Sequence, residues 1–276
     1  MREAAVLMTV HNRRDKTLAC LHDCYLQIDL LKGHGDIEFT VYMVDDGCTD
    51  GTSEAVSEAF PQTVIIKGDG NLYWNQGMRL AWATAASHRP DFYIWLNDDT
   101  LMREGALACL METSTFLRNR AIVVATAAGK DGQITYGGRG KGGKLVNPDP
   151  VIPVPCWTFN GNLVLVPSYV YRMLGSLDVH YSHSFGDFDY GVRARKAGIV
   201  AVVAPGILCT CERDHGLPKW ANARYPLRDR FAFLTSPLGR PPKEQFLYDC
   251  RSQNIAFAVL HFMSLLLKVL FPLRTR

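Results

Sequence analysis

The sequence predicts an α/β fold: a Rossmann-like, mostly parallel sheet flanked by helices, with a helical tail at the C-terminus. Three observations predict it. Apolar runs of strand length alternate with helical segments through the first half of the chain. Polar residues follow several of these runs. A long apolar segment lies near the end of the chain. Strands that alternate with helices form parallel sheets with right-handed crossovers.

The first half supplies most of the predicted sheet. Residues 4–10 are nearly all apolar, as expected of a parallel strand that is covered on both faces. Residues 15–32 have helical spacing, and Gly33 suits the C-terminal end of that helix. The remaining elements are predicted, in order, as strand 37–44, helix 53–60, strand 63–66, helix 75–87, strand 91–96, helix 104–117 and strand 122–126.

The second half begins with a change of composition. Residues 129–143 contain seven glycines together with Lys130, Arg139 and Lys141. A flexible hairpin linker is favoured over a phosphate-gripping loop, because no strand–loop–helix context surrounds the segment. The elements predicted after it are strand 160–166, helix 184–196 and strand 199–204.

Composition limits the function classes. The chain has 276 residues, of which 47% are hydrophobic and 21% charged, an ordinary globular balance. A net charge of +3 is too small to indicate a nucleic-acid partner. The eight cysteines are scattered without zinc-type pairs, so we expect buried thiols in a reducing compartment. The N-terminus has no signal-peptide layout, and we expect a cytoplasmic protein.

The C-terminal tail predicts an interaction surface. Residues 255–267 are apolar apart from His261 and Ser264, and Lys268, Arg274 and Arg276 follow. The segment is too short to span a bilayer, which takes about 20 apolar residues. We expect 253–276 to lie on a membrane surface as an amphipathic helix with basic anchors. The alternative is a helix packed on the domain or on a second subunit of a homodimer.

Polar clusters follow three predicted strands. They are His11-Asn12-Arg13, Asp45-Asp46-Gly47 and Asn97-Asp98-Asp99. Ligands of parallel α/β sheets bind at the carboxyl ends of the strands, so the clusters are expected to converge there. Asp98 and Asp99 follow an apolar strand, and paired carboxylates suit Mg²⁺ or Mn²⁺. A surface turn in which Asp99 or Thr100 caps the next helix is the alternative.

A second acidic cluster contains Asp187 and Asp189. A carboxylate within reach of a hydroxyl can act as a general base, and a metal can offset charge on a departing phosphate. This division of labour suits displacement of a nucleoside diphosphate from a sugar by an alcohol. Both residues also suit a helix N-terminus, which is compatible with catalysis.

The chain resembles the family-2 glycosyltransferases of GT-A fold over residues 4–215. The segments that carry the resemblance are Met8-Thr9-Val10-His11-Asn12-Arg13, Val44-Asp45-Asp46-Gly47-Cys48-Thr49-Asp50-Gly51-Thr52, Gly70-Asn71 with Asn75-Gln76-Gly77, Leu96-Asn97-Asp98-Asp99, and Phe185-Gly186-Asp187-Phe188-Asp189-Tyr190 with Arg193 and Gly198.

The resemblance implies a role for each matching residue. Asp187 is implied to be the catalytic base, and Asp99 a metal ligand together with His215 and Asp98. Residues implied to bind the donor nucleotide are Thr9, His11, Arg13, Asp46, Asn75, Asn97 and Asp98. Residues implied to contact the donor sugar or the acceptor are Trp74, Trp157, Asn160, Gly161, Asn162 and Asp189. Two positions depart from the family pattern: Asn97 replaces its first metal-motif acid, and Gly186 stands where Glu is frequent.

The resemblance also implies the reaction and the organisation of the chain. An inverting glycosyltransferase with Mg²⁺ or Mn²⁺ would move a sugar from a UDP- or dTDP-linked donor to a glycan or polyprenyl-linked acceptor. The segment Gly70–Met78 resembles that of some bacterial rhamnosyltransferases. The expected cytoplasmic setting and membrane-seeking tail indicate a lipid-linked acceptor in surface-polysaccharide assembly, such as O-antigen or capsule, at the inner face of the membrane. Residues 1–127 would bind the nucleotide sugar, 128–215 would bind the acceptor and hold the catalytic residue, and 216–276 would form a helical extension.

Two other functions are compatible with parts of the sequence. A nucleotidyltransferase can share the α/β layout, but it would need a glycine-rich basic loop after the first strand, where this chain has His11-Asn12-Arg13-Arg14-Asp15. A catalytically silent subunit could scaffold a membrane-surface assembly through its tail. The presence of Asp187 and Asp99 argues against such a silent subunit.

Overall fold

A computed structural model of the chain describes residues 1–32, 37–213 and 216–272. Its strands are β1 (Arg2–Val10), β2 (Ile37–Asp45), β3 (Val64–Lys67), β4 (Phe92–Leu96), β5 (Leu101–Met102), β6 (Ile122–Val124), β7 (Ala127–Ala128), β8 (Ile134–Tyr136), β9 (Gly138–Arg139), β10 (Val154–Cys156), β11 (Thr158–Phe159), β12 (Leu163–Pro167), β13 (Ala201–Val203) and β14 (Cys209–Thr210). Its α-helices are α1 (Arg14–Leu31), α2 (Thr52–Ala59), α3 (Tyr73–Ala86), α4 (Ala106–Phe116), α5 (Ser168–Leu174), α6 (Gly186–Lys196), α7 (Leu227–Thr235), α8 (Pro242–Ser252) and α9 (Ile255–Leu270).

The central sheet has eight strands in the order β10-β13-β6-β12-β4-β1-β2-β3. Strands β1 to β4 pair in parallel, and β13 pairs in parallel with β6. The prediction of a mostly parallel α/β sheet is therefore confirmed. Strand β12 lies antiparallel between β4 and β6, so the two parallel blocks never touch directly. Strand β10 is antiparallel to β13 at the edge.

Alternating residues of the central strands feed two hydrophobic layers. Val6 and Met8 pack with α1 and α4 on one face, while Ala5 and Leu7 pack with α3, α5 and α6 on the other. Side chains of a strand point to opposite faces in turn, so an unbroken apolar run is what a sheet covered on both faces requires. The two hydrophobic layers hold the central strands in place, and with them the strand ends that carry the polar clusters.

Three element boundaries differ from the sequence prediction in ways that matter. The strand expected at 160–166 begins only at Leu163, which leaves residues 160–162 as a loop. The glycine-rich segment expected as a linker contains β8 and β9, which belong to two small sheets, β5-β14-β7-β8 and β11-β9. Helix α1 ends at Leu31, and the end signal expected at Gly33 lies outside the described residues.

The C-terminal segment forms a helical extension, as expected. A 3-10 turn, Lys219–Ala221, and helix α7 pack with α9 around Trp220, Leu234 and Leu265. Helix α8 contacts both α9 and α6, so the extension is joined to the main domain. Within the described residues, no helix has both the length and the hydropathy that crossing a bilayer requires.

Candidate active site

The carboxyl ends of β1, β2 and β4 open onto one cavity of about 820 Å³. The loop 160–162 and the start of α6 close its other side. The residues singled out from the sequence that line it are Thr9, His11, Arg13, Asp46, Trp74, Asn97, Asp98, Asp99, Asn160, Gly161, Asn162 and Asp187. The three polar clusters and the second acidic cluster therefore meet at one place.

Three of the described residues expected at the site are not among those that line the cavity. Asn75 and Asp189 are fully buried in the protein, and Trp157 lies on the surface with 41% of its area exposed. His215 lies outside the described residues. Asn75 and Asp189 act on the cavity only through the residues that they contact.

Asp46 holds the loop that precedes α3. Its carboxylate accepts backbone N–H bonds from Gly70 at 2.9 Å and Leu72 at 3.2 Å on one oxygen, and from Tyr73 at 2.9 Å on the other. His11 contacts the backbone of Asp46, because its Nδ1 lies 2.6 Å from the Asp46 carbonyl oxygen. Asp46 thus lines the cavity and fixes the backbone of one of its walls.

Arg13 binds both carboxylates after β4. Its Nη1 donates to Asp98 at 2.9 Å and its Nη2 to Asp99 at 2.7 Å. Burial raises the pKa of Asp98 to about 6, while the Arg13 charge lowers it and the Asp99 charge raises it. Two carboxylates held together in a partly buried place need a cation, and Arg13 supplies one charge.

Asn97 fixes the indole of Trp74 at the cavity wall. The Asn97 Oδ1 accepts a hydrogen bond of 2.7 Å from Trp74 Nε1. A Cβ on Gly161 would lie 2.7 Å from the Trp74 ring, so the loop approaches this indole as closely as glycine permits. Asn97, which stands where the family has an acid, thus holds the Trp74 side chain in place.

Asp187 lies in the first turn of α6 and is held by two backbone amides. Its Oδ2 accepts from Gly161 N at 2.9 Å, and its Oδ1 accepts from Phe188 N at 2.8 Å. Burial raises the pKa of Asp187 to about 6, against the lowering effect of these bonds and of the Arg139 charge. A carboxyl with this pKa is ionised near neutral pH and still basic enough to accept a proton.

Asn75 explains why glycine occupies position 186. The Asn75 Nδ2 donates to the carbonyl oxygens of Asp178 at 2.8 Å and Tyr181 at 2.7 Å, which anchors the loop before α6 to α3. A Cβ on Gly186 would lie 1.9 Å from Asn75 Oδ1. The Glu that is frequent at this position in the family would therefore not fit, and Asn75 supports the loop that leads into α6.

Asp189 joins α6 to the C-terminal extension. It accepts hydrogen bonds from Arg193 at 2.9 Å, Arg251 at 3.0 Å and the Tyr181 hydroxyl at 3.1 Å. Arg251, on α8, also donates to Asp178 at 2.7 Å. A fully buried carboxylate with these partners is satisfied, and it supports the cavity from behind.

The cavity also includes residues for which no role was predicted from the sequence. Tyr136, His183, Phe188 and Leu238 line it. Burial lowers the pKa of His183, whose Nδ1 accepts a hydrogen bond of 3.4 Å from the backbone N–H of Trp74. Leu238 belongs to the α7–α8 loop, far from any motif. Only the position of His183 and Phe188 beside Asp187 in the sequence could have indicated them.

The ability of the site to hold a metal depends on Asp98 and Asp99. Among the residues that the structure describes, no three His, Cys, Asp or Glu side chains are grouped as metal ligands. Mg²⁺ and Mn²⁺ sites often use one or two carboxylates and complete the shell with substrate phosphates and water. The hard oxygens of these neighbouring carboxylates, one of them desolvated, fit that kind of site.

The chain is similar to a known protein family over more than half of its length. The sequence model of the family described as "Glycosyl transferase family 2" matches residues 5–160. A comparison with curated proteins finds no match.

Solved structures match over nearly the whole chain. TarS of S. aureus superposes with a TM-score of 0.60 at 11% identity, covering 98% of this chain and 43% of TarS. A shorter TarS structure in complex with UDP-GlcNAc gives 0.59 at 12% identity, covering 98% and 72%. The mannosyltransferase PcManGT of Pyrobaculum calidifontis, in complex with GDP-Man and Mn²⁺, gives 0.52 at 16% identity, covering 95% and 75%. The chain thus spans less than half of the longer TarS structure, and the matches show a shared fold.

Proposed function

The chain belongs to glycosyl transferase family 2, and from this premise we propose that it transfers a sugar from a nucleoside-diphosphate sugar to a hydroxyl of a glycan or polyprenyl-linked acceptor. One observation carries the proposal beyond the family: a carboxyl of raised pKa, Asp187, faces the same cavity as the Arg13–Asp98–Asp99 cluster. The cavity thus combines a base with a cationic group.

Asp187 is the proposed general base. Its carboxylate accepts the proton of the acceptor hydroxyl as the hydroxyl oxygen bonds to the anomeric carbon. The bond from that carbon to the diphosphate breaks at the same time, and the electron pair leaves with the diphosphate. Attack opposite the leaving group inverts the anomeric configuration in one displacement, without a covalent sugar–enzyme intermediate.

The nucleotide end of the donor is proposed to lie against Thr9, His11 and Asp46, with Asn97 and Asp98 near the ribose. Thr9 is packed against Gly77, where a Cβ would lie 2.2 Å from the threonine hydroxyl oxygen. The S. aureus structure with UDP-GlcNAc and the P. calidifontis structure with GDP-Man support a nucleotide-sugar donor. We propose a UDP- or dTDP-linked sugar, bound by the 1–127 half, with the acceptor bound by 128–215.

Asp99, together with Asp98, is the proposed holder of Mg²⁺ or Mn²⁺. When bound, the ion would offset the negative charge that develops on the leaving diphosphate. His215 is a further proposed ligand from the sequence. Arg13 lies on the same two carboxylates, so its guanidinium is placed to share the diphosphate charge with the ion.

The sugar and the acceptor are proposed to bind between Trp74 and the loop 160–162. Trp74 offers an aromatic face beside Asp187, a usual surface for the apolar side of a sugar ring. Asn160 and Asn162 provide amides at the same wall. Trp157 lies at the surface outside this wall, and Asp189 is an internal anchor behind it.

A thermal-shift screen with nucleoside diphosphates and nucleotide sugars, with and without Mn²⁺, tests the proposed function. Binding adds RT ln(1 + [L]/Kd) to stability, so a ligand at 100 times its Kd adds about 2.7 kcal/mol. We expect one nucleoside diphosphate to raise the melting temperature, more so with Mn²⁺, and an Asp99→Ala variant to lose the Mn²⁺ dependence. A screen in which no nucleotide shifts the wild type would contradict the proposal.

A further inference from the structure

A two-stranded ribbon, β9 with β11, lies on the acceptor side of the cavity. It packs on α6, where a Cβ on Gly191 would lie 2.9 Å from the Thr158 Cα. Gly191 is three residues after Phe188 and four before Arg195, so these three positions share one face of the helix. The ribbon therefore covers a helical stripe that begins beside Asp187 and extends about 10 Å away from it.

Arg139, on β9, lies at the cavity end of this stripe. Its Nε donates to Asn160 Oδ1 at 3.2 Å and its Nη1 to the Gly143 carbonyl at 2.7 Å. Its guanidinium lies 5.6 Å from the centroid of the Phe188 ring. A guanidinium carries five N–H donors, and these contacts use two of them.

A second cationic group lies at the outer end of the stripe, around Trp157. The Arg195 guanidinium is 4.2 Å, and the Lys141 ammonium 5.6 Å, from the centroid of the indole. Both distances are within the range of cation–π attraction. Arg139 and Lys141 belong to one segment of the sequence and Arg195 to another, and the fold brings all three to one helix face.

The charge of this surface is not balanced within the described part of the chain. None of Arg139, Lys141 and Arg195 forms a salt bridge with a described carboxylate. Arg139 is half-buried; burial and the Arg213 charge lower its pKa, and Asp187 is the first opposite charge that acts on it. Burying a guanidinium without a carboxylate is unfavourable and indicates that an external anion completes the site.

We propose that this surface, which we call the cationic ribbon (Arg139, Lys141, Trp157 and Arg195), binds an anionic oxygen group, phosphate or carboxylate, on the acceptor. That the bound molecule is the sugar acceptor rests on the proposed function. That the bound group is negatively charged rests on the cationic ribbon alone. The acceptor hydroxyl reaches Asp187 while the anionic group, one or two sugar units away, binds the ribbon. Acceptors that carry such a charge would be preferred over neutral ones.

A purely structural role for Arg139 is the competing explanation. Its bonds to Asn160 and Gly143 hold two loops together, and a neutral Gln could keep part of that function. Lys141 and Arg195 form no side-chain hydrogen bond within the described part of the chain, and their cationic groups lie near the Trp157 ring. Variants of these two residues therefore test charge recognition without loosening the loops.

Nitrogen-15 NMR of the indole N–H groups provides the test, because Trp157 reports on the ribbon and Trp74 on the donor end of the same cavity. The protein contains five tryptophans, and Trp157→Phe and Trp74→Phe assign the two signals. After saturation with UDP or dTDP, glucose 1-phosphate, glucuronate and the neutral methyl glucoside are titrated separately. The variants are Arg139→Gln and Lys141→Gln/Arg195→Gln, with Lys196→Gln, an exposed neighbour on α6, as the matched control.

We expect a saturable shift of Trp157 with a charged sugar, at least fivefold weaker affinity in both ribbon variants, and wild-type affinity in the control. The stronger of the two charged sugars identifies the anion. An equal response to the neutral glucoside, no response of Trp157 to either charged sugar, or unchanged affinity in the Lys141→Gln/Arg195→Gln variant would overturn the proposal. The response of Trp74 to the nucleotide tests the proposed function separately in the same spectra.

Discussion

At the residue scale, two carboxyl groups of similar pKa have different surroundings. Burial raises the pKa of both Asp98 and Asp187 to about 6. Asp98 is bound by the Arg13 guanidinium, whereas Asp187 is bound by two neutral backbone amides. A carboxylate held by neutral donors can accept a proton without losing an ion pair. We therefore propose Asp187 as the proton acceptor and the Asp98 side as the place that binds charge.

The raised pKa of Asp187 predicts a pH-dependent stability difference. Its contribution to folding is fully present below its ordinary pKa of 3.8 and is lost as pH rises through about 6. An Asp187→Asn variant lacks this loss. The melting temperature of the variant relative to wild type should therefore increase between pH 4 and pH 7, by the equivalent of about 1–3 kcal/mol. A difference that stays constant, or falls, across this range would show that Asp187 is not desolvated.

The close approach of Gly186 to Asn75 predicts a strong effect of a single methyl group. Gly186→Ala places a Cβ against Asn75 Oδ1, and overpacking of this kind costs about 1–3 kcal/mol. We expect a lower midpoint in urea unfolding. Gly132→Ala is not a suitable comparison because φ at Gly132 is +79°, whereas Gly216→Ala has open space around its Cβ and serves as the control. Equal midpoints for both variants would be inconsistent with the packing described.

The sequence predicted the cavity residues at strand ends but not those that enter from elsewhere. Asp46, Asp98 and Asp99 follow apolar strands, and parallel topology brings such ends together. Asn75 lies in a motif yet is buried, because its amide is needed by backbone carbonyls of a loop more than a hundred residues later. No role was predicted for Arg139, because the glycine-rich composition around it indicated a linker rather than a strand.

At the element scale, α8 supports the loop that leads into α6 and Asp187. Glu244 accepts hydrogen bonds from the Ser182 amide at 3.1 Å and from its hydroxyl at 2.7 Å. Tyr248 stacks on Phe185, with ring centroids 5.5 Å apart. The helical extension predicted as a separate segment is thus tied to the loop that leads into α6. This contact depends on a long-range fold, which the local pattern of the sequence does not contain.

The tie between α8 and this loop predicts a local change in dynamics. Glu244→Gln weakens two charge-assisted hydrogen bonds, each worth about 1.5–3 kcal/mol. Amide hydrogen exchange at Ser182 should become at least tenfold faster, while exchange in β1 stays unchanged. Lys243→Gln, on the exposed side of the same turn, is the control. Unchanged exchange at Ser182 would mean that α8 does not hold the loop.

The antiparallel strand β12 illustrates a limit of pattern-based prediction. Its apolar run and its approximate position were predicted, but a run that is buried on both faces does not reveal the direction of the strand. The order β6-β12-β4 places the 160–162 loop beside the end of β4, opposite to where a parallel strand would have put it. The loop that bonds Asp187 owes its position to this reversal.

At the scale of the whole molecule, one apolar stripe of α9 is not covered by any of the residues that the structure describes. Leu265 and Val269 are buried against α7 and Trp220, whereas Leu260, Met263, Leu267 and Phe271 are 52–76% exposed at spacings of three to four residues. Lys268 is the one Lys, Arg, Asp or Glu residue between 255 and 270. We propose that this stripe contacts the surface of a membrane that contains anionic lipid, which would bring the cavity to a lipid-linked acceptor.

Vesicle flotation tests the proposed membrane contact. We expect the wild type to float with vesicles that contain phosphatidylglycerol, and Met263→Gln/Leu267→Gln to remain in solution with an unchanged melting temperature, since both side chains are about half exposed. Flotation of the variant equal to wild type would contradict a membrane role. A concentration-dependent dimer that the same variant abolishes would assign the stripe to a second copy of the chain instead.

The rate of nucleoside diphosphate release from a donor sugar tests the central claim most directly, because water can replace an unidentified acceptor. With the donor found in the thermal-shift screen, the wild-type rate should rise with pH to a plateau above about 6, as Asp187 ionises. Asp187→Asn should bind the donor with wild-type affinity and release diphosphate about 10²–10⁴-fold more slowly at every pH above 6. Equal rates for the two proteins, or the same pH profile in both, would contradict the account.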